Sequence, residues 1–149
     1  MPITFRNVDA SPTDDVRTLP YEALVTLVDR GLVADWKPLF REMRRSPWGK
    51  VARRVEHYLS YREPDGVSTL FALAIEHARS DAEAADRVEV AARIRRAADD
   101  SGITNAEFAR LVGTSASRLS TYLRGTVIPS ASMLVRIERC GEYGDGGDG

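Results

Sequence analysis

The chain has 149 residues, of which 43% are hydrophobic and 29% charged, a composition typical of soluble globular proteins with one or two compact domains. No apolar run approaches the ~18 residues of a membrane span, the first residues lack the pattern of a signal peptide, and a single cysteine, Cys140, excludes an internal disulfide. We therefore expect a cytoplasmic protein, and the net charge of −1 does not by itself indicate a partner.

The N-terminal segment divides into an arm and a first helix. Residues 1–16 contain prolines and aspartates without periodicity, which predicts a flexible arm. Pro20 then opens a helix that ends at Arg30, before Gly31. The apolar stripe of this helix, with spacings of three and four residues, consists of Leu24, Leu27 and Val28.

Two further helices follow, each with a start signal. The second is predicted from about Asp35, as its N-cap, to Arg45, with Pro38 tolerated because it falls in the first turn. The third begins at Ser46-Pro47, with the serine as cap and the proline at the first helical position. The apolar side chains of these two helices are Trp36, Leu39, Phe40, Met43, Val51, Val55, Tyr58 and Leu59.

A basic and aromatic region spans the second and third helices. It is either an auxiliary surface for DNA phosphates or an acidic partner protein, or the ordinary solvated faces of two helices. Trp36, Phe40 and Trp48 are expected in the core, with a dimer or partner surface as the alternative. The basic residues of the region are Lys37, Arg41, Arg44, Arg45, Lys50, Arg53, Arg54, His57 and Arg62.

A turn and an alanine-rich segment lead to the C-terminal part. Residues 62–66 form the turn by composition, and helix resumes from Val67. The run from Ser80 to Ala98 has neither glycine nor proline and favours helix. The sequence leaves open whether this run breaks at Ser80-Asp81 or continues the preceding helix.

Residues 104–125 have the pattern of two short helices joined at a glycine. Thr104 caps the first helix, and Glu107 completes a capping box. Gly113 ends that helix, because glycine adopts the left-handed conformation without a Cβ penalty. The apolar stripe of the first helix consists of Phe108, Leu111 and Val112.

Thr114 is predicted to cap the second of these helices. Its inward side chains are Leu119, Tyr122 and Leu123, and its outer face is small and polar. Short side chains near the start of a helix allow close entry into the major groove of DNA, which is about 12 Å wide. The pattern therefore predicts a helix-turn-helix that binds DNA.

These residues resemble the lambda-repressor-like (Xre-type) family of DNA-binding domains. The resemblance covers residues 87–140, and its spacing holds across four consecutive elements. The matching pieces are Ile94 in an upstream helix, residues 103–109, residues 112–115, Leu119, Arg124-Gly125, and Pro129-Ser130 before a helix that buries Leu134 and Ile137.

The resemblance implies roles for individual residues. Asn105 would approach a phosphate at the start of the second helix of the domain, and Arg124 would lie near the DNA backbone. Residues 115–118 and Thr121 would face the groove, and Arg118 is the one long donor near the helix start. The full set of predicted DNA-binding residues is Asn105, Thr114, Ser115, Ala116, Ser117, Arg118, Thr121 and Arg124.

The chain departs from the family at two places. Ala98 and Leu123 stand where many members pair an arginine with a glutamate, so an apolar contact replaces an ion pair, which is often neutral for stability. The helical pattern also ends near Cys140, without the further dimer helix of phage repressors. Any dimerisation would then come from the N-terminal half.

The charge distribution supports a modest DNA-binding surface. Residues 101–140 carry five arginines against two glutamates, a local charge of +3. We expect few phosphate contacts and a moderate dependence of affinity on salt.

We thus predict an all-α, non-enzymatic protein that binds double-stranded DNA as a homodimer and represses transcription, without metal or cofactor. One alternative is an antitoxin that neutralises a partner protein, a toxin, through its N-terminal domain; another is a regulator with a ligand pocket in that domain. The predicted organisation is an arm, residues 1–16; an N-terminal helical domain for dimerisation or partner binding, 17–79; a helical linker, 80–86; the helix-turn-helix domain, 87–140; and a disordered tail, 141–149.

Overall fold

A computed structural model describes Ile3 and residues 14–144, and this part of the chain is all-α, with seven α-helices and no strand. Most of the predicted arm, and residues 145–149 of the predicted tail, lie outside the described residues. A 3-10 turn at Val16–Thr18 comes first. The helices are α1 Tyr21–Arg30, α2 Val33–Arg45, α3 Lys50–Tyr61, α4 Gly66–Asp100, α5 Asn105–Val112, α6 Ala116–Leu123 and α7 Ala131–Glu142.

The chain forms two compact units, residues 1–82 and residues 83–149. The division falls inside α4, which is helical throughout Gly66–Asp100. Ser80-Asp81 therefore does not break the helix. The first part of α4 contributes to the core of the N-terminal unit, and the last part contributes to the core of the C-terminal unit.

The core of the N-terminal unit is built around Phe71, which is fully buried. The Trp36 ring meets Phe71 edge-on at 5.4 Å between centroids, and Phe40 stacks on it at 4.9 Å. The indole nitrogen of Trp36 donates to the backbone oxygen of Leu27 at 2.7 Å, which satisfies its buried polar group. The prediction that Trp36 lies in the core is confirmed, and Phe40 packs against the core from its edge.

Helix α2 begins two residues earlier than predicted. Its first residue is Val33, so Asp35 is not the N-cap. The Asp35 carboxylate instead accepts a hydrogen bond from the backbone nitrogen of Leu32 at 2.7 Å, which satisfies one of the free amides at the helix start. Pro38 consequently lies inside the helix, beyond the first turn, and removes one backbone hydrogen bond there.

Helix α3 begins later than predicted, because Ser46 ends α2 rather than opening α3. The backbone nitrogen of Ser46 donates to Glu42 at 2.8 Å, and Gly49 donates back to Ser46 at 3.0 Å, which closes a turn. Trp48 lies in this turn and is 48% exposed, so its predicted place in the core is wrong.

The C-terminal unit has a separate core formed by α4, α5, α6 and α7. Ile94, Phe108, Val112, Leu119 and Ile137 are completely buried there. These side chains lie at the spacings that the sequence predicted for inward faces, but Leu111, also predicted in the buried stripe of α5, is 54% exposed. The two helices of the helix-turn-helix are therefore held by packing on a third and a fourth helix.

Of the two positions of the missing family ion pair, Ala98 belongs to this core, and Leu123 is partly buried and packs against it. Helix α7 continues beyond the predicted end at residue 140, through Gly141 to Glu142. Gly141 lies at a close approach between helices, because a Cβ there would lie 2.8 Å from the Cα of Ala97 in α4. Only glycine fits at that distance.

Candidate nucleic-acid interface

The first helix of the candidate interface, α5, has the predicted ends. The Thr104 side chain accepts from the backbone nitrogen of Glu107 at 3.2 Å, and the Glu107 carboxylate accepts from the backbone nitrogen of Thr104 at 3.3 Å. Gly113 ends the helix in the left-handed conformation, with φ of 82°. The capping box and the glycine stop are both confirmed.

Ser115, and not Thr114, caps helix α6. The backbone nitrogen of Thr114 donates to Ala109 at 2.9 Å, so Thr114 completes the closing turn of α5. The Ser115 hydroxyl accepts from the backbone nitrogen of Arg118 at 3.1 Å and so opens α6. The prediction placed the cap one residue too early, because Thr114 and Ser115 are both good capping residues and only the geometry of the turn separates them.

Helix α6 has one buried and one accessible face. Leu119 and Tyr122 are buried in the core of the unit. Seven of the eight predicted DNA-binding residues lie on or beside this helix, and five of these are exposed: Ser115, Ala116, Ser117, Arg118 and Arg124. Thr114 and Thr121 are half-buried.

Hydrogen bonds connect several of these side chains. The hydroxyls of Ser115 and Ser117 are 3.3 Å apart, and the Thr121 hydroxyl donates to the backbone oxygen of Arg118 at 2.6 Å. The Nε of Arg118 donates to the hydroxyl of Tyr122 at 3.1 Å. The first two turns of α6 thus form a connected polar surface.

Two predicted residues lie at helix ends. Asn105 is the exposed first residue of α5 and lies on a different element from the polar surface of α6. Arg124 follows α6 and donates from its backbone nitrogen to Ser120 at 3.1 Å. Gly125 comes next, with φ of 75°, and a Cβ there would lie 3.5 Å from the Cβ of Ala91 in α4.

Two residues outside the predicted set contribute to the geometry. Arg136 of α7 donates from Nη1 to the backbone oxygen of Val112 at 3.0 Å, which caps the end of α5 beside the turn. Tyr122 holds Arg118 through its hydroxyl, although its ring was predicted only as core. The spacing of four residues between Arg118 and Tyr122 was the available signal, since such side chains are neighbours on a helix.

An ion pair on the other side of the unit joins α4 to α7. Arg93 donates from Nε to the Glu138 carboxylate at 2.5 Å, and this bond raises the pKa of Arg93. Both side chains are partly exposed, so the contribution of the pair to stability is small. The pair nevertheless connects α7 to α4, the helices on which α5 and α6 pack.

An all-α unit in which a short exposed helix follows a glycine turn is the architecture of a helix-turn-helix DNA-binding domain. Residues 89–139 match the family model of a helix-turn-helix domain. This part of the chain is therefore similar to helix-turn-helix domains of the Xre, or lambda-repressor-like, type, and the similarity suggests a DNA-binding regulator. No curated protein and no solved structure shows significant similarity to the chain.

Within residues 14–144 no helix has the length and apolar character needed to cross a membrane. No three His, Cys, Asp or Glu side chains among these residues come together in a way that could hold a metal ion.

Proposed function

We propose that this protein is a sequence-specific regulator of transcription that inserts α6 into the major groove of double-stranded DNA. The observation that carries the proposal is the polar surface of α6. Residues 115–118 are exposed at the start of the helix, and all but Arg118 have short side chains, while Leu119 and Tyr122 fix its other face in the core. Such a helix start can approach base edges closely.

Arg118 is the residue to which we assign base recognition. Its Nε is occupied by the Tyr122 hydroxyl, whereas Nη1 and Nη2 have no partner in the described part of the chain. A guanidinium held in this way can offer two donors to the O6 and N7 acceptors of guanine. One such contact provides about 1–3 kcal/mol of discrimination against a wrong base.

Phosphate contacts are assigned to residues at the two ends of the motif. Asn105 and Arg124 are exposed and lie at the start of α5 and just after α6. These contacts would position the domain without reading sequence. With a local charge of +3 over residues 101–140, few phosphates are neutralised, and the dependence on salt is moderate.

We further propose that the protein binds as a homodimer and represses transcription by blocking access of polymerase. Two recognition helices related by a two-fold axis must meet successive major grooves on one face of the duplex. The half-sites should therefore lie about 34 Å apart, or a multiple of that distance.

The test is selection of binding sites from random duplex DNA, followed by a salt titration on the best site. The expected result is a palindromic site, with a clear preference over a scrambled duplex at about 150 mM salt. Arg118→Ala should abolish the preference at one symmetric pair of positions. Equal affinity for unrelated duplexes would contradict specific binding, and an asymmetric site bound by one monomer would contradict the homodimer.

A second candidate function is that of an antitoxin whose N-terminal unit binds a partner protein. It is favoured by two neighbouring large apolar side chains at the start of α2, Leu32 and Val33, which are 62% and 64% exposed. Exposed neighbouring apolar groups are typical of contact surfaces. A small protein encoded beside this chain, bound by the wild type and released by Leu32→Asp, would support it; the absence of any such partner would favour the simple repressor.

In either case the regulator would act in the cytoplasm and without catalysis. The match to a helix-turn-helix domain supports this proposal, because the proposed partner of such a domain is genomic DNA.

A further inference from the structure

The N-terminal unit contains a cleft lined by cations and aromatic rings. It lies between the start of α1, at Tyr21, and one face of α3, and has a volume of about 430 Å³. That volume falls within the range of small-ligand sites. The residues from α3 follow helical spacing and are Lys50, Arg53, Arg54 and His57.

The positive charge of this cleft is not neutralised by any acid among the described residues. No carboxylate is among its described lining residues, and Lys50 and Arg53 make no ion pair within residues 14–144. Arg54 donates from Nη1 to the backbone oxygen of Leu19 at 3.1 Å, which fixes the guanidinium against a neutral group and leaves its charge uncompensated.

Four arginines elsewhere in the same unit are paired with acids, whereas Arg30, Arg41 and Arg44, like Arg53, make no ion pair within residues 14–144. Arg17, Arg45, Arg62 and Arg79 each lie within 3.0 Å of a carboxylate oxygen. Glu56, the acidic neighbour of His57 in sequence, pairs with Arg79, and this bond lowers the pKa of Glu56. The cleft therefore brings three cations together while Glu56, the acid beside His57 in sequence, is engaged by Arg79, and an anionic ligand would relieve the mutual repulsion of the cations.

The aromatic rings beside these cations indicate what kind of anionic ligand the cleft would bind. Tyr21 and His57 both line the cleft, with their centroids 6.1 Å apart, and Tyr61 meets His57 edge-on at 5.0 Å. Tyr61 is 77% exposed, so its ring is accessible. Exposed rings beside Arg and Lys suit a planar base that carries phosphate, because the rings stack on the base and the cations bind the phosphate oxygens.

We propose that the N-terminal unit binds a nucleoside phosphate in this cleft, with the phosphates on Lys50, Arg53 and Arg54 and the base against Tyr21 and His57. The site goes beyond DNA binding by α6 and stands independently of it. It gives the regulator a ligand-binding function in its other unit. A free nucleotide and an unpaired base of single-stranded nucleic acid offer the same chemistry, and the experiment distinguishes these sources.

The experiment is calorimetric titration of the full chain with ATP, adenosine, pyrophosphate, a single-stranded oligonucleotide and polyglutamate. Lys50→Ala/Arg53→Ala is compared with Lys37→Ala/Arg44→Ala, which removes the same charges from exposed positions on α2 that also lack an ion pair in the described chain. All four residues are exposed, so both variants should keep the wild-type circular dichroism.

The expected result is saturable ATP binding that the cleft variant weakens by about tenfold or more and the α2 variant by less than about twofold. Adenosine should bind more weakly than ATP, and Tyr21→Ala should weaken binding of ATP more than that of pyrophosphate. A single-stranded oligonucleotide that displaces ATP and binds more tightly would identify nucleic acid as the source of the nucleotide and support the site.

Three outcomes would overturn the proposal. They are no saturable binding of ATP, pyrophosphate or oligonucleotide up to about 1 mM, equal weakening by the two double variants, and tighter binding of polyglutamate than of any phosphate ligand at the same residues. The last result would assign the cleft to an acidic protein partner. Binding of duplex DNA, measured in parallel, is a separate readout and does not decide the matter.

Discussion

Arg118 and Tyr122 are joined by a hydrogen bond of 3.1 Å, from the guanidinium Nε to the phenolic oxygen, across one turn of α6. The two residues have opposite surroundings, because Arg118 is exposed while Tyr122 is 5% exposed and belongs to the core. A buried ring thus holds the one long donor near the start of α6. Holding a flexible side chain in place lowers the conformational entropy lost on binding.

Tyr122→Phe is expected to weaken specific DNA binding about two- to fivefold while leaving the fold intact. The ring stays in the core and only the hydroxyl is lost, so the restraint on Arg118 disappears. Fluorescence anisotropy with the selected site and with a scrambled duplex measures the change. Tyr61→Phe is the matched control, since Tyr61 lies on α3 and is 77% exposed.

Arg118→Ala should have a larger effect, about tenfold or more on the selected site. Because both changes act on one contact, the double variant should bind no more weakly than Arg118→Ala alone. Additive losses would show that the Tyr122 hydroxyl acts on DNA binding by another route.

Ser115→Ala should destabilise α6, whereas Thr114→Ala should have little effect. The Ser115 hydroxyl is the cap that accepts from Arg118, and loss of such a cap costs about 1 kcal/mol. Thr114 contributes its backbone nitrogen to the turn, and the alanine variant keeps that nitrogen. Hydrogen exchange of the amides in α5 and α6 distinguishes the two variants.

Both tryptophans, Trp36 and Trp48, lie within residues 1–82, so their fluorescence follows the other unit and serves as an internal control. Equal exchange rates in the two variants would contradict the assignment of the cap to Ser115.

Gly141→Ala should destabilise the C-terminal unit by about 1–3 kcal/mol. The new methyl group would lie 2.8 Å from the backbone of Ala97, and α7 would have to move away from α4. Gly66→Ala should leave the stability unchanged or raise it. A Cβ at Gly66 would have no atom within 4 Å, and alanine lowers the conformational entropy of the unfolded chain. Calorimetric unfolding should show a lower midpoint for the first variant and an unchanged or higher one for the second.

Tyr58 should ionise late in an alkaline titration. Burial and the hydrogen bond from its hydroxyl to the Asp29 carboxylate raise its pKa from 10.0 to about 12. The fold therefore favours the neutral phenol. This stabilisation is fully present below pH 10 and is lost as the pH rises through about 12.

Ultraviolet absorbance after a rapid pH jump should show this late step, and Tyr58→Phe should remove it. Tyr61→Phe should leave the late step in place. A late step that persists in Tyr58→Phe would contradict the assignment.

The sequence predicted much of the helix-turn-helix because its signals are local. Thr104, Glu107 and Gly113 act through hydrogen bonds that span three or four residues. The spacing of residue types along the sequence is enough to predict such bonds. The buried faces of α5, α6 and α7 follow from periodicity in the same way, except at Leu111, which lies outside the core. The DNA contacts of the eight predicted residues stay a prediction.

Errors arose where two local signals competed. Ser46-Pro47 has the pattern of a helix start, but Ser46 is already bonded to Glu42 as the end of α2. Thr114 and Ser115 are both capable caps, and the closing turn of α5 uses the first of them. The capping propensities of residues rank the candidate helix starts, but they cannot decide between two candidates when both are good caps.

By itself, then, the sequence determined an all-α chain and a helix-turn-helix between Thr104 and Gly125. The tertiary structure alone decided that α7 continues through Gly141, that Trp48 lies outside the core and that Arg118 is held by Tyr122. The physical reason is the range of the interactions. Caps and stripes involve residues a few positions apart, whereas the close approach of Gly141 to Ala97 depends on packing between helices that are distant in sequence.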